Sequence, residues 1–254
     1  MRVILVGSGN VATHVALALH AAGIVVAQVW SKHFHNAENL AHKVQAKAIA
    51  DFSELDKDAD FCIISIKDDA IAETVKELAS FKGILLHTAG AVSLDIFGSN
   101  SKNVGVLYPL QTFSVAKNVN FHSIPICIEA TNEETLKSIR ELAVKLSENV
   151  VEVSSEKRKI LHLAAVFACN FTNHLYTLSS DLLRANDLSF DMIRPLILET
   201  AEKVQLALPN QVQTGPAIRN DEQTLKNHEE LLLKQPQLLN IYRTLSESIK
   251  KTKK

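Results

Sequence analysis

Apolar residues run without a break over residues 3–6, and a polar, glycine-bearing turn follows from Gly7 to Gly9. A short continuous run of β-branched and leucine side chains predicts a strand buried on both faces of a parallel sheet. Residues 11–22 are rich in alanine, valine and leucine and lack proline, which predicts a helix, with Gly23 placed as its C-terminal cap. The pattern then repeats: strand 25–30, helix 36–45, a short strand near Ala48, strand 61–66, helix 69–80 and strand 84–87. Strands alternating with helices of this length predict βαβ units, hence a doubly wound α/β domain. Apolar runs at 104–108 and 124–128, a helix over 133–147 and a strand at 150–153 are expected to extend the same sheet.

Beyond Ser154 the periodicity changes. Segments 156–184, 190–206, 221–233 and 237–249 carry helical spacing, and no strand-like run appears. Pro195 starts or kinks the second of these, while Pro209, Pro216 and Pro236 fall between helical runs. The expected organisation is a Rossmann-type domain over residues 1–153 and an all-α domain over 154–250, as a chain of 254 residues allows. Lys250, Lys251, Lys253 and Lys254 read as a solvated, frayed end.

Charge narrows the function. Twenty-seven basic residues against 28 acidic ones leave a formal charge of -1, so the overall field that would gather nucleic acid or an anionic membrane is missing. Cys62, Cys127 and Cys169 each lie in an apolar run and read as free core thiols, which points to a reducing compartment; no run reaches a membrane span, and a cytoplasmic protein is expected. The histidines and cysteines show no H-E-x-x-H or C-x-x-C spacing, so no metal is expected.

The strongest motif is Gly7-Ser8-Gly9-Asn10-Val11-Ala12, a G-x-G-x-x-A run directly after a strand and opening a helix. The first glycine permits a tight turn, the second lets backbone approach a pyrophosphate, and the small sixth residue lets helix and strand pack closely. Amides at the helix start then face the phosphates. At the end of the second strand a site for NAD offers an acidic residue to the ribose; here the stretch reads Trp30-Ser31-Lys32-His33, and the first acidic residue of the chain is Glu38. Ser31 can hydrogen-bond a 2′-phosphate and Lys32 can neutralise it, so NADP is the expected cofactor.

Three more loops leave the C-terminal ends of strands, where ligands sit in open α/β sheets. Ile66 and Lys67 in Ser65-Ile66-Lys67-Asp68 are expected beside the adenosine or the linker. Thr88 and Ala89 in His87-Thr88-Ala89-Gly90 are expected near the nicotinamide, with His87 as a possible acid. Tyr108-Pro109-Leu110-Gln111-Thr112-Phe113 offers an aromatic and an amide on a proline-fixed turn. In the helical half His162, Asn170 and His174 share one broad helix face by spacing and read as a buried polar stripe: His162 as proton donor, Asn170 to hold a substrate carbonyl. Thr214-Gly215-Pro216-Ala217-Ile218-Arg219 reads as a loop in which Arg219 either clamps a substrate carboxylate or caps the next helix.

Together Gly7 to Ala12, His87 to Gly90, Pro109 to Phe113, His162-Leu163-Ala164-Ala165 with Asn170, and Thr214-Gly215-Pro216 with Arg219 make the chain resemble a family of NADP oxidoreductases in which a Rossmann-like domain precedes a helical domain of unknown function. The architecture is also similar to that of pyrroline-5-carboxylate reductases, deazaflavin-dependent NADP reductases and 6-phosphogluconate or hydroxyacid dehydrogenases. The resemblance implies a homodimer formed through the helical domain and a small carbonyl or imine substrate reduced or oxidised with NADP(H). One departure matters. Hydroxyacid dehydrogenases place a catalytic lysine four residues before the asparagine, and here that place is Val166, leaving His162 or His87 to supply the proton. The same departure also fits a non-catalytic NADP-binding sensor or assembly protein on this fold.

Overall fold

The computed structural model describes residues 1–98 and 101–252. Eight strands form one sheet in the order β3-β2-β1-β4-β5-β6-β7-β8: β1 (Arg2–Val6), β2 (Val25–Trp30), β3 (Lys47–Ile49), β4 (Phe61–Ile64), β5 (Ile84–His87), β6 (Val104–Pro109), β7 (Ile126–Ala130) and β8 (Val150–Glu152). The order reverses between β1 and β4, which creates the crevice of a doubly wound sheet at the C-terminal ends of these strands. The expected sheet is present with one difference. β7 runs antiparallel to β6, and β8 pairs parallel to β7, so the last two strands point against the rest.

Alternation along β1 shows how the sheet is buried. Val3 and Leu5 join the core beneath the helices α1 (Asn10–Ala21), α2 (Phe34–Lys43) and, further along the sheet, α4 (Glu133–Ala143), whereas Ile4 and Val6 join the core beneath α3 (Ile71–Glu77) and the 3-10 turn Leu94–Phe97. All four are fully buried, which is why the strand reads as an unbroken apolar run. Helix α5 (Ser155–Ala165) starts from Ser154, whose side chain accepts from the Lys157 amide. Its Arg158 is fully buried and forms an ion pair with Glu129 of β7. The Arg158 Nη2 donates to the Val92 carbonyl at 2.6 Å, and the Ser155 amide and hydroxyl both donate to Glu129 at 2.8 Å. That cluster ties the start of α5 to the sheet, and the first compact unit accordingly runs from Met1 to Cys169, past the change of periodicity at Ser154.

The second unit, Asn170–Lys254, is helical: α6 (Thr172–Arg184), α7 (Arg194–Leu206), α8 (Pro216–Arg219), α9 (Glu222–Leu231) and α10 (Pro236–Lys251). Tyr242 on α10 bonds His228 on α9 at 2.9 Å. Three expectations change in this half. The helix expected over 156–184 contains a π-helical stretch, Val166–Phe171, between α5 and α6, and its wider i→i+5 turn breaks the spacing that put His162, Asn170 and His174 on one face. The segment read as a loop ending at Arg219 holds the short helix α8, because Pro216 pre-sets the first helical residue. The basic end is not frayed from Lys250: α10 continues to Lys251, and Lys250 reaches Glu222 at 2.7 Å, while Lys253 and Lys254 lie outside the described residues. Cys62 and Cys127 are buried as expected, but Cys169 is exposed. No helix among the described residues is long and apolar enough to cross a membrane.

Candidate functional site

The turn after β1 is built by backbone. Gly7 donates to the Trp30 carbonyl at 2.8 Å and adopts φ +126°, a conformation that L side chains rarely adopt. A Cβ there would lie 2.1 Å from the Ser65 carbonyl oxygen, so Gly7 is required for the β1 and β4 loops to meet. Gly9 caps α1 with no side-chain hydrogen bond and faces open space, and no acidic residue occupies the first turn. Asn10 is exposed and Val11 half-buried at that start. Bare amides at a helix N-terminus beside an open glycine suit a phosphate, since the amides and the helix dipole both favour negative charge.

Ser31, at the end of β2, lies beside this turn, with its hydroxyl 2.7 Å from that of Ser8. Lys32 next to it is exposed. The hydroxyl pair and the neighbouring ammonium fit a ribose phosphate, and the acidic residue that would repel one is missing from this strand end. After β4, Ile66 is half-buried and Lys67 exposed. Ser65, which opens this loop, accepts from Thr88 at 3.0 Å through its hydroxyl and couples the β4 and β5 loops. Thr88 and Ala89 are both buried.

His87 is corrected by its environment. Its ring is fully buried, stacks on Phe97 with centroids 5.6 Å apart, and accepts from the Ala89 amide at Nδ1. Burial, with Arg158 nearby, pushes its pKa down to about 3, and a ring with no exposed surface offers no proton to a substrate.

His162 on α5 is half-buried, and its Nδ1 lies 3.0 Å from the hydroxyl of Tyr108 at the end of β6, the rings meeting edge to face. Both pack on Gly90, where a Cβ would stand 2.7 Å from Nδ1 and 2.8 Å from the tyrosine Cζ. Burial pushes the Tyr108 phenol up to about 12, so it stays protonated. The structure therefore places Gly7 to Asn10, Ser31, Thr88 to Gly90 and Tyr108 within the first unit at or after the C-terminal ends of β1, β2, β5 and β6, with His162 of α5 against Tyr108 and Gly90. The rest of the expected polar stripe is not buried: Asn170 and His174 are exposed. Arg219, at the end of α8 in the second unit, is exposed as well.

Residues 2–88 match the family described as NADP oxidoreductase, coenzyme F420-dependent, and residues 124–249 match a domain of unknown function, DUF2520. A candidate NADP oxidoreductase of known crystal structure from Bacteroides fragilis is 42% identical to this chain over 98% of both, with a TM-score of 0.93. The chain belongs to this NADP oxidoreductase family. A Thermotoga maritima protein, 23% identical over 99% of this chain and 98% of its own, has the same fold at a TM-score of 0.75. An imine reductase from Myxococcus stipitatus in complex with NADP+ shares it at 13% identity, over 99% of this chain and 92% of its own, with a TM-score of 0.68. No curated protein matches significantly. Membership of an NADP oxidoreductase family agrees with an N-terminal turn whose bare amides and following Ser31 and Lys32 suit a phosphorylated dinucleotide.

Proposed function

We propose that the protein transfers a hydride between NADP(H) and a small carbonyl or imine compound. The observation that supports this best is the Gly7 to Asn10 turn after β1 together with the Tyr108–His162 pair, whose tyrosine stands at the same C-terminal edge of the sheet, near the end of β6. Bound NADP(H) supplies or accepts the hydride. Gly7, Ser8, Gly9, Asn10 and Val11 hold the pyrophosphate, Ser31 and Lys32 the 2′-phosphate, Ile66 and Lys67 flank the adenosine side, and Thr88 and Ala89 line the nicotinamide end. His162 supplies the proton. Nucleotide binding is assigned to residues 1–153, and residues 154–250 are assigned to the substrate and to pairing with a second copy, a role that exposed Met192, Leu196 and Leu206 favour.

Titration of the purified protein with NADPH and separately with NADH, at fixed salt and followed by nicotinamide fluorescence, tests the cofactor assignment; equal affinities would remove the roles of Ser31 and Lys32. Oxidation of bound NADPH by a panel of small carbonyl and imine compounds tests the reaction. Tight NADPH binding without turnover across the panel would favour a non-catalytic binding protein, the reading that Val166 in place of the dehydrogenase lysine supports. Sedimentation velocity measures the assembly, and a monomer at micromolar concentration would remove the homodimer. In the enzyme, His162→Ala is expected to slow turnover with NADPH affinity unchanged.

A further inference from the structure

We propose that Tyr108 is a positioning residue: its hydroxyl donates to Nδ1 of His162 and fixes the neutral imidazole as the tautomer that carries its proton on Nε2.

The contact has the geometry of a hydrogen bond, 3.0 Å between Oη and Nδ1 with the rings edge to face. An O–H group and a ring nitrogen can share such a bond in two ways. If Nδ1 donated, the phenolic proton would have to find another acceptor from a side chain that is 8% exposed. If the phenol donates, its proton is used and the lone pair of Nδ1 is used with it, so the buried polar atoms are satisfied together. The phenol keeps that proton throughout the physiological range, because burial raises its pKa to about 12.

Gly90 adds the second constraint. Its missing Cβ is the space against which both rings rest, at 2.7 Å from Nδ1 and 2.8 Å from the tyrosine Cζ. Tyr108 is held by β6 and its neighbours Val106 and Cys127, and His162 by α5. The imidazole is thus fixed in orientation as well as in tautomer, and an Nε2–H is the group left to donate. Such a donor suits an oxygen or nitrogen on which charge develops during reduction, since a pre-oriented neutral donor costs no reorganisation. The catalytic meaning rests on the proposed role of His162; the tautomer does not.

The test uses the full chain labelled with 15N-histidine. Ring nitrogens are correlated with ring protons by NMR at about pH 8.5, roughly two units above the ordinary histidine pKa, where a neutral ring shows its tautomer. The His162 signals are identified as those lost in His162→Gln. The expected result is a protonated Nε2 and an unprotonated Nδ1 in the native protein, and both tautomers in Tyr108→Phe. A native ring protonated on Nδ1, or a tautomer unchanged in a folded Tyr108→Phe, overturns the proposal; if that variant does not fold, the native spectrum decides alone. With a substrate identified by the panel, Tyr108→Phe is expected to lower turnover roughly three- to ten-fold, the effect of one hydrogen bond, with NADPH affinity unchanged. If the tautomer is as expected and His162→Gln leaves turnover intact, the proton-donor role of His162 fails while the tautomer assignment stands.

Discussion

Replacing Glu129 by alanine strands a wholly buried guanidinium. In the native protein Glu129 accepts from the Ser155 amide and hydroxyl, both at 2.8 Å, and pairs with Arg158, whose side chain has no exposure at all. Removing one partner of a buried pair costs about 3–5 kcal/mol, because the remaining charge keeps its desolvation penalty and loses its compensation. The Glu129 side chain is itself 18% exposed, so water can reach the gap and the lower end, about 3 kcal/mol, is expected. Arg158→Met leaves Glu129 without its cation and the Val92 carbonyl without a donor, but Glu129 keeps both Ser155 bonds and some contact with water, so a smaller cost of about 1–2 kcal/mol is expected. The decisive variant is the double one: Glu129→Ala with Arg158→Met should be more stable than Glu129→Ala alone, because no buried charge is left unpaired. Urea unfolding followed by Trp30 reads this out. Trp30 is the single tryptophan of the chain, sits in β2 and stacks on Phe52, so its fluorescence reports on the sheet unit. With a urea m-value near 2 kcal/mol/M, the Glu129→Ala midpoint should fall by about 1–2 M. A fall worth less than about 1 kcal/mol, or a double variant no more stable than Glu129→Ala alone, would refute the reasoning.

Three other perturbations follow from the site. Gly7→Ala places a methyl 2.1 Å from the Ser65 carbonyl at a positive φ, and is expected to abolish NADPH binding in the fluorescence titration and to lower the urea midpoint. Lys32→Glu puts a carboxylate beside Ser31 and is expected to weaken NADPH at least ten-fold, as roughly 1.4 kcal/mol of lost charge pairing requires, while leaving NADH affinity nearly unchanged. His87 has a folded pKa of about 3 against an ordinary value near 6.5, so the unfolded chain binds the extra proton between these limits. Stability is therefore full above about pH 6.5 and declines as the pH falls toward 3, by up to about 1.4 kcal/mol per pH unit, and His87→Gln should flatten that slope in urea midpoints measured across the window.

The sheet strands and the dinucleotide turn were legible because each is written locally. An unbroken apolar run such as residues 3–6 has few alternatives to a doubly buried strand, and Gly7-Ser8-Gly9 owes its conformation to its own residues. Strand direction is not local: β7 contains the same kind of apolar run as β6, and nothing within it records that it pairs antiparallel. Arg158 sits in Glu156-Lys157-Arg158-Lys159, which reads as a solvated helix start, and its burial is explained by the Glu129 carboxylate and the Val92 carbonyl, both distant in sequence. The Tyr108–His162 pair spans 54 positions, so each ring was visible as a candidate while their bond was not. His87 looked like an acid because histidine titrates near neutrality; its burial, a property of tertiary packing, removes that capacity. Spacing placed Asn170 and His174 with His162 only for an uninterrupted α-helix, and the π turn at Val166–Phe171 leaves no signature in that count.

At α4, α5 and α9 the first orphan amides are met by the chain itself, through Asn132, Ser154 and Asp221. Helix α1 begins on Gly9 with no such side chain. In the proposed binding mode a phosphate at that start would perform the task that asparagine, serine and aspartate perform at those three helices. Stability and nucleotide supply thereby become linked quantities: a hundred-fold excess over the dissociation constant adds about 2.7 kcal/mol to the native state. Under that binding mode, added dinucleotide would raise the resistance of the chain to unfolding even where no hydride is transferred.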